Sequence, residues 1–275
     1  MTEVRTYPAG VTSWVDIECG DVDGAKAFYG GIFGWIFEDA APPSAPYRYV
    51  IAQLDGKDAA GIGGPFDRAV WNTYVAVDDA AAAAERVTRA GGKILEPPTP
   101  AGQAGISVAC ADPFGVKFSL WQAKYRKGAQ ITNAPGSWNF SDLHAADPAA
   151  SAAFYTDVFG WSIDDIGYAI MIRRPGYGDH LAATVDPDIF ERQSGDFVPP
   201  GFSDAIGWLA PAGDTETPNW HVSFAVADRD DTVAAAERLG GIVLSGNDSE
   251  WTKSAVIRDP QGAEFTASQF TPPSA

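Results

Sequence analysis

All three histidines of this 275-residue chain, His144, His180 and His221, fall in its C-terminal half. Imidazole can move a proton or hold a divalent metal near neutral pH. Carboxylates accompany two of them. Asp142 precedes His144 by two residues, which puts both on one face of a strand, and Asp179 is next to His180. The N-terminal half has no histidine, but Asp16 occupies the position that Asp142 holds in the second half. A carboxylate on the concave side of a sheet needs a partner or a shifted pKa. Asp16 and Asp142 therefore either tie their strand to a neighbouring loop or serve as base or ligand anchor.

The elements that must position these groups are written twice. The run AFYGGIFGW begins at Ala27 and returns as AFYTDVFGW at Ala153. SWVDIEC alternates, with Val15, Ile17 and Cys19 on one face and Asp16 and Glu18 on the other, as a half-buried strand does. Asp21 then caps a helix that Gly34 stops, and Asp147 followed by Pro148 opens the matching helix. YRYVIAQLDGKDAAGIGG reads as two strands about an Asp-Gly turn, with one more strand expected near Phe37. WNTYVAVDD followed by AAAAERVTRAGG gives a further strand and helix. ADPFG and RDPQG are type I turns between antiparallel strands. The whole order recurs after residue 137, so the chain contains four βαβββ modules in an α+β architecture. The helices form one layer, and Val75, Val77, Val222, Phe224 and Val226 face them as core.

These motifs, doubled and in order, resemble the vicinal oxygen chelate superfamily, the glyoxalase/bleomycin resistance/dioxygenase fold. The resemblance implies two tandem domains, 8–124 and 137–272, joined by a linker at 125–136. A segment at about 185–203 has no counterpart in the first half and is read as an insertion. It implies a small-molecule cup with four metal-ligand positions per domain. In domain one these fall on Trp14, Asn72, Ser119 and one of Ala60, Gly61 or Ile62, a set poor in metal donors. In domain two they fall near Phe140, at 206–208, on His221 and on Thr266. Only His221 is a good ligand there, and the missing carboxylate at Thr266 counts against glyoxalase I or extradiol dioxygenase chemistry by the metal route. The cofactor expectation is thus none, or one divalent metal in domain two through His221; a lone strand histidine otherwise makes a hydrogen bond.

The expected chemistry centres on domain two, with His221, His144 and Asp142 as catalytic candidates. His180, Asp179 and Tyr177 belong to RRPGYGDHL, a glycine-rich stretch suited to a binding loop or lid. Trp208, Thr266 and Glu264, with Asp16 and Tyr74 from domain one, complete the ligand-binding candidates. Two functions remain open: a lyase, isomerase, hydrolase or oxygenase acting on a small metabolite or natural product, and a non-catalytic protein that sequesters a drug or metabolite. Composition narrows the partners. Thirty-six acidic against nineteen basic residues give a net charge of −17, which repels nucleic acid and anionic membranes. No apolar run approaches a membrane span, the N-terminal stretch lacks signal-peptide character, and two cysteines fit a reducing cytoplasm. The chain is expected to work as a monomer or homodimer.

Overall fold

The computed structural model describes residues 4–42, 45–195, 198–214 and 216–272. Residues 196 and 197 of the expected insertion, and the first three of the N-terminal stretch, lie outside them. The four modules form in the expected order. The first comprises β1 (Thr12–Glu18), α1 (Val22–Phe33), β2 (Ile36–Asp39), β3 (Arg48–Leu54) and β4 (Lys57–Gly64). The second comprises β5 (Val70–Ala76), α2 (Ala80–Arg89), β6 (Lys93–Ala101), β7 (Gly105–Ala111) and β8 (Lys117–Ala123). The third has β9 (Trp138–Ala145), α3 (Pro148–Phe159), β10 (Ser162–Asp165) and β11 (Ile170–Arg173). Two short helices follow, α4 (Tyr177–Ala183) and α5 (Ile189–Arg192), then a 3-10 turn at Phe202–Asp204, before β12 (Ala205–Pro211) closes the module. The fourth has β13 (Asn219–Ala225), α6 (Arg229–Arg238), β14 (Ile242–Asp248), β15 (Thr252–Arg258) and β16 (Glu264–Phe270).

Strand order is β2-β3-β4-β1-β5-β8-β7-β6 in one sheet and β10-β11-β12-β9-β13-β16-β15-β14 in the other. In every module the first and last strands run parallel, while the remaining neighbours within the module are antiparallel. Local chemistry accounts for the helix ends. Asp21, Asp79, Asp147 and Asp228 each accept a first-turn amide, worth about 1 kcal/mol apiece. Gly34 and Gly160 end the two repeated helices in the left-handed region at φ 72° and 70°, where a side chain would be strained. The stretch expected to be a loop or lid is partly helical: Tyr177, Asp179 and His180 lie on α4.

The chain packs as two compact units, and neither is a sequence half. One gathers the chain up to Trp14 with Thr73–Gly128 and Ser141–Trp220; the other gathers Val15–Asn72, Ala129–Phe140 and the chain from His221 onward. In the second unit α1 packs beside α6, and Tyr29 and Phe33 meet Phe265 at 5.8 Å between ring centres. Phe33 also meets Phe224 at 4.9 Å. In the first unit α2 packs beside α3, with Phe118 against Tyr155 at 5.6 Å and Tyr155 stacked on Trp161 at 5.2 Å. Phe28 and Phe154 are buried, as are the valines and Phe224 assigned to the core.

The tyrosine of the doubled phrase makes a buried hydrogen bond to another module in each unit. Tyr29 Oη donates to Asp259 Oδ2 at 2.9 Å and accepts from Trp71 Nε1 at 3.2 Å. Asp259 is the aspartate of the second D-P-x-G turn, and its Oδ1 accepts the amides of Gln261 and Ala263. In the other unit Tyr155 Oη accepts from Trp220 Nε1 at 3.0 Å and faces Asp112, the aspartate of the first such turn. Tyr29→Phe leaves a buried carboxylate oxygen and an indole N–H unsatisfied. Urea unfolding should show it less stable by about 1–3 kcal/mol; an unchanged midpoint would mean that the bond adds nothing.

Candidate functional site

On β9, Leu143 and Ala145 point into the core of the first unit, which leaves Asp142 and His144 on the opposite face. The parallel neighbour β12 pairs Leu209 with Leu143 and Ala210 with His144, so Trp208 stands beside Asp142. The Trp208 amide donates to Asp142 Oδ1 at 3.2 Å. Phe202, from the 3-10 turn, lies 6.2 Å from the Trp208 ring. Beyond β12 the loop turns back and brings Glu216 to His144, with Oε1 2.5 Å from Nδ1. Asn219 Nδ2 donates to the same oxygen at 3.0 Å, and the Gly213 amide donates to Oε2 at 3.1 Å.

Each carboxyl answers to its surroundings. Burial pushes Asp142 up to about 7, and the nearby His144 charge and the Trp208 amide offset only part of that push. Burial would also raise Glu216, but the hydrogen bond from His144, the Gly213 amide, the His144 charge and Asn219 together hold it below its ordinary value. Glu216 is therefore ionised at neutral pH, and it orients His144 with the proton on Nδ1. Asp142 is poised near half-protonation. Two carboxyls are thus pushed apart in pKa, one bonded to the His144 imidazole and the other on the same face of β9, an arrangement able to give and take a proton.

The other candidates have different company. His180 Nε2 lies 3.0 Å from the Thr6 carbonyl and 3.2 Å from Thr6 Oγ1. Arg5 Nη2 donates to Tyr177 Oη at 3.1 Å. Arg174 Nε donates to the Ala9 carbonyl at 2.8 Å, so an N-terminal arm is stitched along α4 and the residues just before it. Asp204 fixes the other side by accepting the Gly176 and Gly178 amides. Asp179 sits in the first turn of α4. His221 belongs to the second unit, where its Nε2 lies 2.8 Å from Thr266 Oγ1. Glu264 is exposed and paired with Arg258 at 2.7 Å. Tyr74 meets Trp121 edge-on at 6.5 Å. Asp16 is 4% exposed, with Oδ2 receiving Tyr49 Oη at 2.8 Å and Oδ1 receiving Asn72 Nδ2 at 3.0 Å.

Of the three catalytic candidates, Asp142 and His144 are thus brought together with Trp208. Glu216 and Tyr49 escaped the sequence reading. Glu216 lies in a loop with no periodicity. Tyr49 had one available signal: alternation along β3 puts it on the face of the strand that crosses Gly61. A groove of about 420 Å³ between α2 and β6 is lined by Ala84, Glu85, Thr88, Arg89, Ile94 and Pro98, none of which is a candidate. Among the described residues, no helix is long and apolar enough to cross a membrane.

Comparison with known proteins agrees with the doubled architecture. Residues 12–120 match the family model of the glyoxalase/bleomycin resistance protein/dioxygenase superfamily, and residues 140–268 match that of the glyoxalase-like domain. CFP32 of Mycobacterium tuberculosis, provisionally named a glyoxylase, is 31% identical over 99% of both chains. The anthracycline biosynthesis protein DnrV of Streptomyces peucetius is 30% identical, covering 94% of this chain and 93% of its own. Among solved structures, the Mn(II)-bound glyoxalase from Novosphingobium aromaticivorans aligns with a TM-score of 0.60 at 18% identity, over 98% of this chain and 83% of that one. The 2,3-dioxygenase LapB from Pseudomonas sp. KL28 gives 0.60 at 13%, over 98% and 93%.

The manganese in the first of these raises the question of a metal here. The donor set does not fit one. A divalent ion of this kind wants several imidazoles, thiolates or carboxylates around one point. Among the described residues, no three His, Cys, Asp or Glu side chains stand together in that way, and His221 has a hydroxyl for a neighbour.

Proposed function

Because the chain belongs to the glyoxalase/bleomycin resistance protein/dioxygenase superfamily, we propose that its C-terminal half processes an oxygenated small molecule by proton transfer at Asp142, His144 and Glu216. The observation that carries this reading is the Asp142 carboxyl, poised at about 7 beside an imidazole that an ionised glutamate orients. A base whose pKa sits near the working pH is often enough ionised to take a proton and acidic enough afterwards to return it. Ionised Asp142 removes a proton from carbon next to a carbonyl. The protonated carboxyl then returns it at a neighbouring position, which is isomerase or lyase chemistry of the glyoxalase-like kind. His144 favours the ionised form of Asp142, and its hydrogen bond to Glu216 holds the ring in place. The relatives' names, a glyoxylase and an anthracycline biosynthesis protein, support a carbonyl compound or a polycyclic natural product as the class of ligand.

Deuterium uptake tests the reading. The protein is incubated in D2O with 1,2-dicarbonyls, α-hydroxyketones and hydroxyquinones, and carbon-bound deuterium is counted by mass spectrometry. One class should exchange, with the rate falling about 100-fold or more in Asp142→Asn. Exchange that persists in that variant would overturn the assignment. Tight binding with no exchange in any class would make the protein a sequestering one instead.

A further inference from the structure

The two halves tie the same point of the same strand to a following loop, and the charges of the tie are opposite. Glu18 ends β1 three residues before the capping Asp21, and His144 stands on β9 three residues before the capping Asp147. Each lies beside the last strand of its module, Glu18 against Gly63 and His144 against Ala210. From the loop after β4, Arg68 sets Nε and Nη2 on Glu18 Oε2 at 2.8 and 2.6 Å. From the loop after β12, Glu216 sets Oε1 2.5 Å from His144 Nδ1. The first half puts the acid on the strand and the base on the loop, and the second half reverses them.

The reversal alters what the tie needs. A guanidinium is a rigid fork, and two of its N–H groups fix the carboxylate they meet. An imidazole offers that carboxylate one N–H, and a carboxylate held by one bond alone can turn about it. Asn219 supplies the missing restraint. It opens β13 as Val70 opens β5, each one residue before the tryptophan whose indole donates to the repeated tyrosine. From there Nδ2 donates to Glu216 Oε1 at 3.0 Å and to the Thr217 carbonyl at 2.9 Å, so one amide pins both the carboxylate and the loop that carries it. Val70 has no side-chain donor, and the fork of Arg68 requires none.

We propose that Asn219 is a positioning residue: by fixing Glu216 it holds the His144 ring in its orientation with the proton on Nδ1. Its use in the reaction, as distinct from its hold on the ring, rests on the reading of Asp142 and His144 as the proton-handling centre.

Nitrogen-15 spectra of the histidine rings in the full chain test the hold. The variants are Asn219→Val, which copies Val70, and Asn219→Asp, which keeps the shape and loses the donor. His144→Gln identifies the His144 signals. At pH 8.5, above the ordinary imidazole range, native His144 should carry its proton on Nδ1. Both variants should move its balance toward the Nε2–H form by about fivefold, the factor one lost hydrogen bond supplies, while the His180 and His221 signals stay in place. A His144 ring that keeps the native balance in either variant would overturn the inference. Should Asn219→Val not fold, the aspartate variant decides alone. Deuterium uptake by the same three carbonyl classes separates hold from use: in both variants kcat should fall about tenfold while KM stays within about twofold. If the ring shifts and exchange keeps its native rate, the positioning stands and the proton-transfer reading falls. A native ring with slowed exchange gives the converse.

Discussion

Asp142→Asn should melt above the native protein at pH 8, and the gap should close as the pH falls toward 4. The sign follows from proton binding. The Asp142 carboxyl titrates at about 7 in the folded protein and near 3.9 in the unfolded chain. Between those values the folded state binds more protons, so native stability falls as the pH rises through the window and stays lowered above it. At pH 8 the folded protein carries a charge its surroundings oppose. Below pH 4 both states are protonated and the penalty is gone. Three pKa units correspond to about 4 kcal/mol, and solvent reaching the half-buried side chain reduces this to about 2–4 kcal/mol. Asparagine keeps an oxygen for the Trp208 amide and removes only the charge. The expected gain at pH 8 is about 4–10 °C for a chain of this size, measured by differential scanning calorimetry across pH. A gap that widened toward acid would mean that the native carboxylate is stabilised rather than opposed.

The penalty is placed where function would place it, since a structural carboxylate has every reason to be satisfied. Asp16 is the internal control: same strand position, both oxygens bonded. Sequence could weigh the two aspartates only as equals, because Tyr49, which takes one oxygen of Asp16, comes from β3 with β4 between. What sequence could read was local. Alternation placed Val15 and Ile17 inside and Asp142 and His144 on the other face. The aspartate caps and the glycines at 34 and 160 bounded the helices, and the doubling revealed four modules. Such features depend on neighbours within a few residues. Partnerships across the chain left no local trace. Glu216 reaches His144 from a loop, and Thr6 meets His180 from the far end of the sequence. His180 reaches Thr6 and His221 belongs to the other compact unit, because sequence proximity does not set which strand faces which.

The same limit hid how the core is shared, and this sets the second large expectation. Fragments 1–124 and 125–275, made separately, should give no cooperatively folding monomer, and mixing them should restore one. The helix α1 turns Phe28, Tyr29 and Phe33 toward Phe224, Phe265 and Asp259, all from the other fragment. Phe118 is likewise covered by Phe154, Tyr155 and Phe159 across the cut. Uncovering one such aromatic forfeits about 1.5–3 kcal/mol, and three together approach the 5–15 kcal/mol by which a typical domain is stable. Residues after the cut are also engaged early, since the Gln130 amide donates to the Asp58 carbonyl at 2.7 Å. The readout is urea unfolding followed by tryptophan emission, with light scattering to fix the mass. Trp35, Trp71, Trp161 and Trp220 are all buried in these aromatic clusters and report their loss. A fragment that unfolds cooperatively as a monomer would show that each sequence half carries a sufficient core of its own, and the pairing of Tyr29 with Asp259 would then be an embellishment on two independent domains. Recovery on mixing would show that the duplicated modules are bound by exchange, with the sheet made within each half and the helix core made between halves.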